Sequence, residues 1–517
     1  MIPLGGSFAE TTATFLRPDA DAVNELTSLL RETNAGIVAH YYMDVELQGI
    51  LTAAAALLPG RIGIADSLKM GDMAVDMVNG VNHHNTTNTT GGGRGGGGVD
   101  SVLCLGVDFM AESVQAILQR NGHAGVPVYR ADARKIGCSL AESAEGDAYR
   151  AWLQRRGGRG GAGAAASSSM DAPALHVVYI NTSLETKAIS SATVPTITCT
   201  SSNVLPTILQ ASAQMGPDLR ILYGPDTYMG NNLERLLSVV SESWTDERIR
   251  TELHPDHTRA TVRTLRDNLV VFPSGNCVVH HMFGRSVVDA VKDRYDDCYV
   301  TAHLEVPGEM FEIAMTKSLR DDGVVGSTSN ILDFISRKVR ERAEAVAEDG
   351  RTGADGGGGG RGKRLRFILG TEAGMVTSIV QSVQKIIRGS GMDDLEAEII
   401  FPVASEAVTG TDDDALAVVP GVRGGEGCST AGGCATCPFM KMNHIDAVTD
   451  VLQMIRRGDE IRLSRHLPPN RLHGKTIDGV DAMDLGVEAI LYMRQFMKSR
   501  TIPDELVRKI MAGRQNP

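Results

Sequence analysis

The stretch Gly36–Ser67, GIVAHYYMDVELQGILTAAAALLPGRIGIADS, decides the fold. A short apolar run ends in His40-Tyr41-Tyr42, Val45–Leu58 carries helical spacing, and a second apolar run ends at Asp66-Ser67. Short apolar runs that do not alternate read as strands buried on both faces, and strands that alternate with helices predict a parallel α/β sheet.

Working outward, VLCLG (from Val102) and IGCSLAE (from Ile136) complete a four-part pattern that returns twice. The second copy is VVYINTS (from Val177), TCTSSN (from Thr198), ILYGPD (from Ile221) and GNCVVHH (from Gly275). The third is YVTAHLE (from Tyr299), VVGSTSN (from Val324), FILGTE (from Phe367) and CATCPFMKMN (from Cys434). Leu68–Val78, Phe109–Leu118, Val204–Met215 and Val287–Val291 supply further helical stretches. The fold class expected is therefore α/β: three pseudo-symmetric α/β/α domains, each with a parallel sheet of three strands, around a central active site. The divisions read are 1–20 as a leader or fragment edge, 21–154, 173–283 and 284–517 as the three units, the last with C-terminal helices, and 155–172 as a linker. Glycine-rich inserts at 82–98 and 350–362 bury too little to fold and fall between the parts of the pattern.

The chain has 517 residues, long enough for several domains. A net charge of −12 argues against non-specific nucleic-acid binding, and no apolar stretch is long enough for a membrane span. Eight cysteines are too sparse for a disulfide scaffold. Their placement says more: Cys138, Cys277 and Cys437 occupy the same slot of the three copies, whereas Cys104, Cys199 and Cys298 have no counterparts and read as small core residues. Three thiolates delivered to one centre make a three-cysteine iron–sulfur site with one iron left open. Taken singly, Cys138 and Cys277 also read as core; the shared slot favours ligands. Cys434-x-x-Cys437 alone also fits a redox pair or half a zinc site, and Cys428, Cys434 and Cys437 could form a reversible disulfide.

Ser67, Ser201, Ser327 and Thr328 precede helical stretches, where a hydroxyl caps the first turn and the helix N-terminus attracts anions. His40 and Tyr42, Tyr179 and Asn181, and His303 and Glu305 close the first strand of each copy. His303 and Glu305 lie two apart, so on a continuing strand both face the same way, as acid–base groups beside a Lewis acid. His280 follows Cys277 closely and has either an acid–base or a supporting role; His281 is its rival for it.

The motifs AHYYMDVELQG, ADSL, LGVDFMAESV, IGCSLAES, VVYINTSLETKA, TCTSSN, YGPDTYMG, GNCVVHHMFG, TAHLEVPGEMF, VVGSTSNILDFI, LGTEAGMVTSI and GGCATCPFMKMN together resemble the quinolinate synthase family, in its plant and algal branch. The resemblance runs in order from about Asn34 to Asn443, and more weakly beyond. It implies a triangular arrangement of three α/β domains and a transferase and dehydratase activity. That activity condenses iminoaspartate with dihydroxyacetone phosphate to quinolinate, phosphate and water, in NAD biosynthesis. It implies a 4Fe-4S cluster on Cys138, Cys277 and Cys437, catalytic roles for Tyr42, Glu305 and His303, and substrate contacts from His40, Ser67, Tyr179, Ile180, Asn181, Ser201, His280, Leu304, Ser327 and Thr328. It further implies an L-aspartate oxidase or dehydrogenase as the source of iminoaspartate, iron–sulfur assembly machinery as a partner, and a plastid stroma location; a homodimer is compatible with it. Two departures stand out: Ala302-His303-Leu304-Glu305-Val306 replaces the AHPEC of many relatives, and no stretch of these 517 residues reads as the SufE-like N-terminal domain of plant relatives. The competing readings are another iron–sulfur hydro-lyase and a metal-binding regulatory or scaffold protein.

Overall fold

The computed structural model describes residues 17–81, 97–157, 172–294, 296–352, 364–391, 395–402 and 437–512. Most of the three low-complexity segments, and both Cys428 and Cys434 with their expected disulfide chemistry, lie outside the described residues. The strands are β1 Ala35–His40, β2 Ile62–Ala65, β3 Ser101–Leu105, β4 Val128–Arg130, β5 Ala174–Tyr179, β6 Thr196–Cys199, β7 Arg220–Gly224, β8 Leu269–Val271, β9 Tyr299–His303, β10 Gly323–Gly326, β11 Arg364–Gly370 and β12 Glu396–Ile400. They build three four-stranded sheets of identical order, β2-β1-β3-β4, β6-β5-β7-β8 and β10-β9-β11-β12. All neighbours in these sheets pair in parallel.

The chain is thus α/β, with parallel sheets flanked by helices. Each sheet has one strand more than the repeat pattern predicted. β4, β8 and β12 are edge strands that precede the cysteine of their copy; β4 and β12 include Tyr129, Arg130, Glu396 and Glu398, and the apolar β8, Leu269–Val271, is only three residues long, so they carry no long apolar run to reveal them. The inner strands do. Every residue of β1 is buried, as expected of a strand covered on both faces.

The described residues fall into two compact units. One, residues 1–106, 125–136 and 278–467, holds the sheets of β1–β4 and β9–β12. In it the helix Ile445–Arg457 packs on Ala20–Thr33, with Arg456 Nη1 3.1 Å from Glu32 Oε2. The other, residues 107–124, 137–277 and 468–517, holds β5–β8. There the helix Ala482–Ser499 lies on Leu184–Thr193, close enough that a Cβ on Gly486 would sit 2.6 Å from the Leu184 carbonyl oxygen.

Beneath β5 in this second unit, His176 is buried with Tyr149, Trp152 and Phe272; its Nε2 is 2.9 Å from the Tyr149 hydroxyl. Burial pushes the imidazole down to about 3, so the ring stays neutral in the fold but takes a proton near its ordinary value of 6.5 when the chain unfolds. The stability this supplies is whole above pH 6.5 and is lost as the pH falls below it. The stability advantage of the native chain over a His176→Gln variant should therefore shrink by about 2 kcal/mol between pH 7 and pH 5 in urea titrations. An advantage independent of pH would contradict the neutral assignment.

Candidate active site

In the first unit, three polar turns at the carboxyl ends of β1, β9 and β11 carry the site. β1 ends at His40, and the turn after it is tied to the ring: the Tyr42 N–H donates to His40 Nδ1 at 3.2 Å, and the two rings meet edge-on at 4.6 Å. Gln48, one turn into the helix Val45–Leu57, secures the turn by donating from Nε2 to the carbonyls of Tyr41, Met43 and Gly374 at 2.8–2.9 Å. The Tyr42 hydroxyl then lies 3.1 Å from Thr328 Oγ1, at the first residue of the helix Thr328–Thr352. Ser327 caps that helix, accepting the Asn330 N–H at 3.3 Å and donating to Asn330 Oδ1 at 2.7 Å.

β9 ends at His303, and here the sequence reading needs correction. Glu305 does not continue the strand; it stands in the following turn, and its N–H donates back to His303 Nδ1 at 3.3 Å. The turn nevertheless keeps the pair together. Glu305 Oε2 is 3.1 Å from His280 Nδ1 and Oε1 is 3.6 Å from His303 Nδ1, while the two imidazoles stack 4.7 Å apart at 19°. Because His303 Nδ1 accepts, the proton of the neutral ring sits on Nε2. His280 Nε2 is 3.4 Å from Thr371 Oγ1 beyond β11, and next to Thr371 the Glu372 carboxyl accepts the Cys437 N–H at 2.8 Å. Leu304, buried, bonds through its N–H to the Gly326 carbonyl at 3.0 Å, tying the turn to the end of β10.

Burial sets the charges here. It pushes His303 down to about 3 and His40 down to about 4, the latter against the opposing pull of Asp66 and Glu305, so both rings are neutral at ordinary pH. It raises the Tyr42 phenol well above its usual value, with Glu305 and Glu372 adding to the shift, so Tyr42 keeps its proton. The Glu372 carboxyl is likewise raised by burial. The arrangement offers neutral hydrogen-bonding rings, a phenol that can give a proton, and a buried carboxylate, which is equipment for acid–base chemistry on a polar substrate.

The glycine of LGTEAG is part of this geometry. A Cβ on Gly374 would lie 2.8 Å from Tyr42 Cα and 3.0 Å from the Tyr41 carbonyl oxygen. Gly374→Ala should cost about 1–3 kcal/mol by forcing backbone apart and should lower kcat by moving Tyr42 off Thr328. Thermal unfolding and turnover measured together test this; native values for both would contradict it.

Ser67 differs from its expected role: Asp66 is the cap, accepting the Leu68 and Lys69 N–H groups at 3.0 Å, and Ser67 is the first helical residue, buried. In the second unit Ser201 also departs from its expected role and is a turn residue. The helix Val204–Met215 starts after Asn203, whose Oδ1 accepts the Thr200 N–H at 2.8 Å.

Tyr179 ends β5 and is buried, and the Ile180 N–H donates to the Cys199 carbonyl at 2.8 Å; half-buried Asn181 follows in the bend. This bend is held from below by a residue the sequence reading passed over. Lys187, fully buried, donates from Nζ to the carbonyls of Ile180, at 3.1 Å, and Thr182. Glu112 supports the same segment by accepting the Leu184 N–H at 3.0 Å. Burial moves the two groups toward each other, Lys187 down to about 7 and Glu112 up to about 7. Both stood in quoted motifs, but a Lys or Glu on a helical stretch reads as an exposed residue, and nothing in the local pattern shows that this helix face is covered.

Cys138 precedes the helix Ser139–Glu145, and Cys277 follows β8. Their two segments are joined: Ser139 Oγ donates to the Asn276 carbonyl and Ser143 Oγ to the Ser274 carbonyl, each at 3.0 Å. Cys138, Cys277 and Cys437 are each half-buried and none is in a disulfide. Cys104, Cys199 and Cys298 are buried; burial raises the Cys199 thiol well above its usual value and Cys298 to about 11. Accessible thiols suit metal binding, which requires the thiolate, and buried high-pKa thiols do not.

A model of the family described as quinolinate synthetase A protein matches residues 98–350. The chain is 45% identical over 516 residues to a chloroplastic quinolinate synthase of Nicotiana tabacum, covering 98% of this chain and 65% of that protein. It is 43% identical over 517 residues to the chloroplastic quinolinate synthase of Arabidopsis thaliana, covering 98% and 65%. Against that of Oryza sativa subsp. japonica it is 42% identical over 530 residues, covering 99% of this chain and 68% of that protein. The chain therefore spans 65–68% of the length of these curated relatives.

Proposed function

The chain belongs to the quinolinate synthetase A protein family, and we propose on that premise that it makes quinolinate from iminoaspartate and dihydroxyacetone phosphate, releasing phosphate and water. The observation that carries this reading is the buried constellation of the first unit: Tyr42 against Thr328, and Glu305 between His280 and His303.

A 4Fe-4S cluster fits the donor set, with Cys138, Cys277 and Cys437 as its ligands. When bound, such a cluster supplies a Lewis-acidic iron that polarises a substrate oxygen. The remaining work falls to the chain. The condensation joins an anion bearing two carboxylates to a phosphate ester, and its steps are proton transfers and dehydrations without net oxidation. The neutral rings of His40 and His303 donate hydrogen bonds to substrate oxygens. The N-termini of the helices Ser67–Val78 and Thr328–Thr352, with the hydroxyls of Ser67, Ser327 and Thr328, favour carboxylate and phosphate groups. Tyr42, whose phenol keeps its proton, acts as acid toward a leaving hydroxyl, and Glu305 takes the proton from carbon or nitrogen. Tyr179, Ile180, Asn181 and Ser201 complete the substrate contacts, with Leu304 through its backbone.

The common strand order supports treating residues 21–154, 173–283 and 284–517 as three repeats. The plant relatives are named chloroplastic, which supports a plastid location. Among the described residues, no helix is long and apolar enough to cross a membrane. Iminoaspartate is short-lived in water, so an L-aspartate oxidase or dehydrogenase must supply it nearby, and cluster assembly needs an iron–sulfur machinery.

An anaerobic assay of the protein with dihydroxyacetone phosphate and freshly generated iminoaspartate tests the reading. Quinolinate formed in proportion to enzyme is the expected result. Turnover of simple hydroxy acids without quinolinate would assign a hydro-lyase instead, and near-stoichiometric zinc with no turnover a scaffold.

A further inference from the structure

We infer that Glu372 is a positioning residue for the third cysteine and, through its second oxygen, a contact for a polar group of the bound substrate. The inference rests on the functional reading above and adds to it a residue that closes the FILGTE part of the repeat pattern but was given no role there.

Glu372 lies just beyond the end of β11 and has no exposed surface. Its two oxygens are treated differently. Oε1 accepts the Cys437 N–H at 2.8 Å, fixing the backbone of the residue whose thiol is to be a ligand. Oε2 is buried and has no hydrogen-bond partner among the described residues. A buried carboxyl oxygen without a hydrogen-bond partner is costly and calls for an explanation. The neighbouring residues explain what the free oxygen is for. Thr371 touches His280, and Gly374 abuts the backbone of Tyr42, so the segment Thr371–Gly374 borders the acid–base groups on one side and the cysteine on the other. Glu372 thus lies beside the groups that handle substrate, where a polar group of the bound molecule would satisfy Oε2.

Two substitutions separate the two roles. Glu372→Gln keeps an oxygen for the Cys437 N–H and replaces only the second atom; Glu372→Met removes both. In protein stripped of iron, the Met variant should raise the rate of Cys437 alkylation by iodoacetamide, relative to Cys138 in the same sample, about tenfold. Once loaded, it should lose iron to a chelator about 10–100-fold more readily, the usual effect of removing a residue that orients a ligand. The Gln variant should match the native protein in both measurements but show a KM for iminoaspartate raised about tenfold, as expected when a buried polar partner is mismatched. Native Cys437 reactivity and iron retention in the Met variant would overturn the positioning role, and an unchanged KM in the Gln variant would overturn the substrate contact. Should the Met variant not fold, amide exchange in the native iron-free chain decides the first point: protection of the Cys437 amide supports it, and exchange at the solvent rate refutes it. Alkylation and exchange need no turnover, so they stand even if the chain makes no quinolinate.

Discussion

Glu305→Gln is expected to lower kcat roughly 10²–10⁴-fold, the range for losing a positioned acid–base group, while KM stays close to native. The substitution keeps the size and shape of the side chain. It also keeps the backbone bond from residue 305 to His303 Nδ1, at 3.3 Å, so the turn itself should survive. What disappears is the capacity to take a proton at a point 3.1 Å from His280 Nδ1 and 3.6 Å from His303 Nδ1. The His303 ring cannot substitute: burial keeps it neutral, and its Nδ1 lone pair is already engaged by the Glu305 N–H. Removing a buried carboxylate also relieves a desolvation cost, so the urea midpoint should not fall. A kcat within about threefold of native, measured in cluster-loaded protein, would remove Glu305 from the chemistry and leave it a structural brace for the two imidazoles.

The second large effect concerns the thiols. Cys138→Ser should abolish activity and most of the bound iron and sulfide, whereas Cys298→Ser should retain both. The contrast rests on surroundings rather than on residue type. Cys138 is half-buried, at the start of a helix, on a segment bonded to that of Cys277. Cys298 is buried, and its thiol is held up to about 11, poorly suited to act as a thiolate ligand. The Cys298 variant thus controls for general damage by a hydroxyl. Equal iron in both variants would break the link between repeat position and ligation.

Much of the fold was legible because inner parallel strands are apolar on both faces: β1, β5 and β9, with their partners on either side, stood out as short runs followed by helical spacing. The strands β4, β8 and β12 did not, since β4 and β12 carry Tyr129, Arg130 and Glu398 and β8 is a run of only three residues, Leu269–Val271. The site was legible where residues fall at strand ends in repeated slots, as His40, Tyr42, His303 and the three cysteines do. Roles that depend on which oxygen meets which N–H were not. Ser67 and Ser201 read as caps, yet Asp66 takes the capping bonds of the first helix, because Ser and Asp at adjacent positions compete for them, and the second helix starts after Asn203 with no side-chain cap bond. Lys187, Glu112 and Glu372 were hidden for another reason: only the packed structure shows that a charged side chain in an ordinary helix or turn is buried.

The account as a whole turns on three thiolates holding a four-iron cluster that leaves one iron for substrate. Mössbauer spectra of protein reconstituted with ⁵⁷Fe, taken before and after adding a stable iminoaspartate analogue, address this directly. About a quarter of the signal, one iron of four, should move to a site with an oxygen or nitrogen ligand, and the rest should stay in place. Four irons that ignore the analogue, or a two-iron spectrum, would contradict it.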